Sequence, residues 1–338
     1  MDVSDLMIGP RGRRLLWNYV IASTVLHDKS NVWDAVASHR LKKNLSAVAE
    51  AVTRVQPAPL TAETARTLIA DTTAAAMYWQ EPDDDDRLVV SPQVMSALQP
   101  FAESLCSSDV IEWWDTGVDQ SIQWEVQWDQ SSPHQSAHSS AQILRDWQRA
   151  TVAAEAWAVD NLPADHRYPF SGTWWSTPPA ELLQTTRRLW DGTSAGMWFV
   201  EDSAGDEKVR VRPVEISAQR VFEIGSSNDW IYLCRTYPLE VTAHKRHDWY
   251  RTTGRVGEWT MPNWNEVASD YDGVHLTVAG YLCVAGRALP TAPDTASVLA
   301  GWNPDTTYWL NDCAQTQGEW KEWVVDSHAP TFSWVGLP

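Results

Sequence analysis

The sequence is short of positive charge, of cysteine and of long apolar runs, and each shortage removes a class of function. Lysine and arginine number 26 against 44 aspartates and glutamates, which leaves a net charge of −18. A surface that neutralises nucleic-acid phosphates needs clustered cations, so broad basic binding to DNA or RNA is not expected. The same deficit argues against electrostatic attachment to anionic lipid. Four cysteines (Cys106, Cys234, Cys283, Cys313) lie far apart with no CxxC pair. That spacing fits reduced, buried thiols and gives no zinc signal. The longest early apolar run, Leu15–Leu26, is interrupted by Asn18, Ser23 and Thr24. Arg11, Arg13 and Arg14 precede it as the basic region of a signal peptide would. No small-x-small cleavage site follows at His27, Asp28 and Lys29, so the run reads as a buried first helix. A cytoplasmic location without a membrane anchor is the expectation. A glycine-rich phosphate loop, a nucleophile elbow, an HExxH pair, a kinase signature and a repeat of fixed period are also missing.

What the chain does have is tryptophan, 22 in 338 residues. Each indole buries a large area and carries one donor that needs an acceptor. Single tryptophans inside periodic segments, such as Trp17, Trp33, Trp147 and Trp157, read as packing residues. The pairs Trp113–Trp114 and Trp174–Trp175 differ. If they lie in strands, one ring of each pair faces away from the core and offers a stacking surface.

Apolar periodicity predicts an α+β protein, with a helical N-terminal portion packed with a mixed, largely antiparallel C-terminal sheet. Helices are expected over 11–26, 32–55, 61–79 and 91–107, with Thr61 and Ser91 as caps and Pro92 in a first turn. Residues 81–86 hold five carboxylates in six positions and read as a solvated acidic loop. Ile122, Trp124, Val126 and Trp128 alternate with polar residues, which predicts a strand with one buried and one wet face. Residues 130–141, rich in Ser, His and Gln, read as a mobile linker, and His134 with His138 lacks a third metal ligand. The implied division is a mostly helical 1–120 and a mixed 121–338. In the second part a helix is expected over 140–159, a strand over 172–176, a helix over 179–190 and a strand over 197–201. Strands follow over 209–214 and 220–224, then a helix over 228–236. Strands are expected over 239–243 and 249–261, a helix over 263–270 and a strand over 273–278. Turns and short strands are expected to the end.

Three constellations carry chemistry. The first is Trp174-Trp175-Ser176-Thr177-Pro178, read as a strand entering a helix whose hydroxyls cap it or face a ribose or an anion. The second is His244 to Arg251, with Arg255. Residues 235–255 hold five Lys and Arg against two acids, while 256–338 hold two against ten. That cluster either docks on the acidic remainder or grips an anion through Arg251, with Tyr250 stacking on a base. The third is Asp270 to Thr277, which places His275 on the face opposite Val274 and Leu276. His275 with Asp272 or Asp270 would form an oriented acid–base pair.

The stretches 174–177, 221–238, 248–259 and 272–281 resemble those of a group of uncharacterised bacterial proteins. The strand–Ser–Thr–helix piece is also similar to the Ser-Thr-Ser element of ADP-ribosyltransferases. That resemblance implies an NAD pocket, with Arg167 ahead of Ser176 in the place of the phosphate-binding arginine. The later Gln-x-Glu of that family is missing. Gln123-Trp124-Glu125 matches it but precedes the Ser-Thr element. Three functions are therefore weighed. One is a binding or interaction protein using exposed Trp faces, with a protein or a nucleotide-type small molecule as its partner. Another is an NAD-using enzyme. The last is a hydrolase built on Asp272 and His275. The gathered ligand site would comprise Trp175, Ser176, Thr177, Tyr250 and Arg251, with no metal.

Overall fold

The computed structural model describes residues 1–27, 32–42, 44–128, 138–203, 205, 207–329 and 332–337. Most of the stretch read as a linker, with His134, lies outside them. Helices come first: α1 (Val3–Ile8), α2 (Pro10–His27), α3 (Val32–Lys42), α4 (Leu45–Thr53), α5 (Ala62–Ala74), α6 (Asp84–Leu88) and α7 (Pro92–Cys106). Strand β1 (Gln123–Trp128) and α8 (Ser140–Asn161) follow. Next come β2 (Gln184–Arg187), β3 (Lys208–Ile216), β4 (Val221–Ile224), α9 (Ser227–Thr236), β5 (Pro238–Glu240) and α10 (Thr242–Thr253). Then come β6 (Glu258–Pro262), α11 (Trp264–Val267), β7 (Gly273–Leu276) and α12 (Val278–Val284). The chain closes with β8 (Leu289–Pro290), β9 (Thr295–Ser297), β10 (Thr307–Trp309), β11 (Ala314–Thr316), β12 (Lys321–Val325) and β13 (Trp334–Gly336). The protein is α+β.

The larger sheet runs β13-β12-β3-β1-β2-β10-β7-β4, with β11 also on β3, and β4–β7 is its parallel pair. The smaller runs β5-β6-β9-β8. The early caps form as expected. Thr61 accepts from Thr64 N at 3.1 Å, and Ser91 from Val94 N at 3.3 Å ahead of Pro92. No helix among the described residues is long and apolar enough to cross a membrane. The four cysteines are free thiols, and burial raises Cys234 to about 12.

Several elements differ from the sequence reading. The 32–55 helix is two, with Asn44 capping α4 through Ala47 N at 3.1 Å. The acidic stretch is not a solvated loop. Asp83 caps the short α6, and Asp86 is buried against Arg11 at 2.5 Å. The 172–176 stretch is irregular. The expected 179–190 helix is strand β2, where the β-branched Thr185 and Thr186 prevail over the capping pattern at Ser176–Pro179. No strand forms over 197–201. The expected strand over 249–261 begins as the last turns of α10 and becomes strand, β6, only from Glu258. The helix α10 itself was not expected. Its first free amides, Ala243 N and His244 N, both donate to Glu155 of α8 at 2.8 Å, and Gly254 at φ 71° closes it. A cap supplied by another helix leaves no local trace in sequence. The helix α12, after Thr277, was also unexpected.

The alternation in β1 is real, but its polar face is not wet. Gln123, Glu125 and Gln127 are buried, and each has a partner: Thr185 Oγ1 at 2.7 Å, Arg212 Nε at 2.6 Å and Arg210 Nε at 2.9 Å. Across the sheet this face carries Arg187, Thr307, His275 and Glu223 in register. The opposite face carries Trp124, Val211, Tyr308 and Val274 and packs into the core. Trp124 is 7% exposed, with Arg188 and Lys321 over its ring. Trp124→Ala is expected to cost about 3 kcal/mol, the low end for a core aromatic, because cations rather than close-packed carbon cover one face. Chemical denaturation reads this directly. A change near zero would mean that the ring is not packed.

Most of the tryptophan content is core. Trp230, Trp249, Trp264, Trp302 and Trp309 are fully buried, and their indole N–H groups donate to Ser297, Trp174, Ser176, Thr306 and Thr185. Those five donors are satisfied without water, so burial costs no orphaned polar group. Trp33, Trp157, Trp175 and Trp190 are exposed.

Candidate functional site

The first two constellations meet, and the third does not join them. Lys245 Nζ donates to Thr173 O at 2.6 Å and Trp175 O at 2.8 Å. Asp248 accepts from Ser171 Oγ at 2.8 Å and Gly172 N at 3.0 Å, and also from Arg251. Arg251 donates further to Phe170 O and Trp79 O, and Trp249 to Trp174 O. Lys245 and Arg251 therefore dock on backbone carbonyls of residues 170–175, whereas Arg235 and Arg255 do reach the C-terminal part, donating to Thr291 O and to Glu258 O and Asp294 O. Burial pulls Lys245 down to about 7. Tyr250 packs on His166, with ring centroids 4.1 Å apart, and meets Arg167.

This assembly holds the loop shut. Ser176 is fully buried, and its Oγ accepts from Ala300 N at 3.1 Å; it caps no helix. Thr177 is buried against Tyr308. Tyr308 and Val274 face each other across the strands, so Thr177 lies on the sheet face opposite His275. Trp175 alone of the three is open, at 43% exposure.

His275 does not pair with Asp272 or Asp270. Asp272 instead receives Gln219 N and Arg220 N at 2.9 Å each and pins the start of β4. Asp270 receives the Tyr237 hydroxyl at 2.6 Å. The His275 ring lies between two other carboxylates, with Nδ1 2.5 Å from Glu223 and Nε2 3.5 Å from Asp305. Asp305 in turn holds Arg187 through Nε at 2.6 Å and N at 2.9 Å. Burial opposes the charge on His275, but Asp305 and Glu223 outweigh it and lift the group to about 8. Both ring nitrogens are committed, and the ring is 1% exposed, so no imidazole atom is left to take a substrate proton.

The groups that face open space lie elsewhere. A cavity of about 720 Å³ opens where α1, α2 and the 75–90 segment meet the end of α10 and the turn after α12. Ile8, Pro10, Met77, Val90 and Ala288 give it an apolar wall, and Arg11, Arg13 and Arg287 give it cations. Arg11 is neutralised by Asp86. Arg13 and Arg287 have no carboxylate partner among the described residues. Arg13 donates through Nη1 to Met7 O and Ile8 O, closing α1, and Arg287 through Nη1 to Cys283 O and Ser227 Oγ, closing α12. Cations at helix C-termini are ordinary, yet these bonds use one nitrogen of each. Burial lowers both arginines, and Arg287 lowers Arg13 further by its proximity, with Asp86 opposing in part. The Tyr78 ring closes the floor against Gly286, whose φ of 75° and lack of Cβ allow the contact.

Behind Tyr78 and Arg11 stands Glu201, with Tyr281 beside it. The carboxyl oxygens and both tyrosine hydroxyls are buried, and the two hydroxyls lie against the carboxyl. Burial, opposed by the tyrosines and Arg11, raises Glu201 to about 8. A neutral carboxyl therefore backs the cavity at neutral pH.

The chain matches no family model, no curated protein and no solved structure. No group of three or more His, Cys, Asp and Glu among the described residues is arranged to hold a metal. Sequence reasoning passed over the cavity arginines because Arg11 and Arg13 were weighed as a leader's basic region. Arg287 was one of only two cations in the acidic segment 256–338, and that scarcity was the signal available.

Proposed function

We propose that this chain is a small-molecule-binding protein whose ligand is an anion with an apolar body, held in the cavity between Arg13 and Arg287. One observation carries the reading: two partly buried guanidinium groups line one cavity, and neither is salt-bridged to a carboxylate among the described residues. Burying like charges side by side is costly unless an anion compensates. The cavity size falls within the roughly 300–1,000 Å³ usual for ligand pockets, and its mostly apolar wall fits an organic body. Exposed tryptophans contribute little to this reading, since Trp33, Trp157, Trp175 and Trp190 do not line the cavity. An NAD site at Ser176 and Thr177, or a hydrolase at His275, draws no support from the geometry, because those groups are sealed and mutually satisfied.

Calorimetric titration with pyrophosphate, phenyl phosphate, benzoate and NAD tests the proposal. At least one of these anions is expected to bind, and Arg287→Gln is expected to weaken it about tenfold or more. A charge-assisted hydrogen bond is worth roughly 1.5–3 kcal/mol. Glutamine keeps a donor for Cys283 O, so the fold should survive. Equal binding by wild type and variant, or binding of none of the four, would overturn the reading.

A further inference from the structure

We infer that the cavity selects a phosphate monoester over a carboxylate, an inference that rests on the anion-binding reading above. The donor inventory decides it. Arg287 spends Nη1 on Cys283 O and Ser227 Oγ, and its Nε and Nη2 have no acceptor among the described residues. Together they form the two-donor fork that guanidinium presents to an oxyanion. Arg13 spends Nη1 on two carbonyls, and its Nε is buried without an acceptor, which leaves Nη2 as its free arm. Donors therefore approach from two helices, α2 and the end of α12.

A carboxylate has two oxygens in one plane. Its oxygens can accept from both arginines, as those of Asp86 do from Arg11 and Arg14, but its single charge offsets only one of the two. A phosphate monoester has three terminal oxygens arranged around phosphorus. It accepts the Arg287 fork with two and the Arg13 arm with the third. Near neutral pH it also carries about two negative charges, since its second ionisation lies near pH 6. Charge and geometry then both match two uncompensated arginines. Carboxylates also line the cavity, and Asp86 favours the charge on Arg13 from a distance, but each is salt-bridged to another arginine: Asp86 to Arg11, Asp83 to Arg14 and Glu81 to Arg87. The remaining space, bounded by Ile8, Met77, Val90, Ala288 and the Tyr78 ring, is too large for the phosphate alone and takes the ester's apolar part.

The test is calorimetric titration of the full chain near neutral pH with phenyl phosphate, benzoate and inorganic phosphate. Phenyl phosphate is expected to bind at least tenfold more tightly than either of the others. Arg287→Gln and Arg13→Gln are each expected to weaken phenyl phosphate at least tenfold while changing benzoate less. Arg287→Lys keeps the charge and loses the fork, so it should fall between wild type and Arg287→Gln. A thermal midpoint for each variant separates lost binding from lost fold. Benzoate binding as tightly as phenyl phosphate overturns the phosphate preference and leaves the anion-binding reading standing. Inorganic phosphate equalling phenyl phosphate overturns the apolar half of the inference. Binding of none of the three overturns this inference, and the anion-binding reading then rests on pyrophosphate and NAD.

Discussion

Glu201→Gln is expected to stabilise the folded chain by about 3–5 kcal/mol at pH 9 and by close to nothing at pH 4. The carboxyl ionises near 4.5 in an unfolded chain and is raised to about 8 in the fold. Between those values the folded state holds a proton that the unfolded state has lost. Stability from this group is therefore fully present below about pH 4.5 and is lost as pH rises through 8. A tenfold change in proton affinity is worth about 1.4 kcal/mol, which sets the size of the effect. Above pH 8 the native state carries a buried anion whose desolvation Tyr78, Tyr281 and Arg11 offset only in part, and a neutral amide of the same shape removes that cost. Urea denaturation of both proteins at pH 5, 7 and 9 measures it. Other titrating groups, Lys245 and His275 among them, are common to both proteins and largely cancel in the difference. A wild-type-minus-variant difference that is flat from pH 5 to 9 would mean that Glu201 ionises as an exposed glutamate does.

The comparison of sequence with fold shows where local information ends. The caps at Thr61 and Ser91, the β1 alternation and the position of α8 were legible because their determinants are within a few residues. The helix α10 was not, since Glu155 caps its N-terminus from another helix and Lys245, Asp248 and Arg251 hydrogen-bond to the 170–175 loop. Its charges suggested docking on the acidic remainder or an external anion, whereas backbone carbonyls and its own Asp248 satisfy Lys245 and Arg251. The buried polar face of β1 misled for a related reason. Period two tells which residues share a face and says nothing of what covers that face. His275 was found from its position opposite Val274, but its partners, Glu223 and Asp305, come from 52 and 30 residues away. The cavity arginines were least legible. Arg13 and Arg287 are far apart in sequence, and nothing local distinguishes an arginine that closes a helix from one that also faces a ligand.

Asp305→Ala is expected to cost about 4–6 kcal/mol at pH 7, enough to unfold a marginally stable domain. The side chain is 2% exposed and stands between two cations, accepting from Arg187 N and Nε and lying beside His275 Nε2. Arg187, His275, Asp305 and Glu223 form a chain of two positive and two negative groups. Removing one anion leaves a buried arginine without its acceptor, and breaking a buried pair this way costs roughly 3–5 kcal/mol. Alanine adds strain of about 1 kcal/mol, because residue 305 sits at φ 61° in the left-handed region. An asparagine at this position would tolerate that backbone and keep the shape while losing the charge. Asp305→Asn is thus expected to cost less, about 3 kcal/mol, and to change the pH profile as well. His275 ionises near 6.5 when unfolded and near 8 in the fold, so its contribution is complete below pH 6.5 and is lost as pH rises through 8. Asp305 is one of the two carboxylates that raise it, and without it the wild-type decline from pH 6.5 to 8 should shrink. Glu223 also accepts from Val118 N at 2.9 Å, so His275 and Glu223 together anchor the 116–119 segment over the sheet. Denaturant unfolding of wild type, Asp305→Asn and Asp305→Ala at about pH 6 and again above pH 8 gives both readings. If alanine and asparagine cost the same and neither alters the decline, the ion chain is not what holds this face of the sheet.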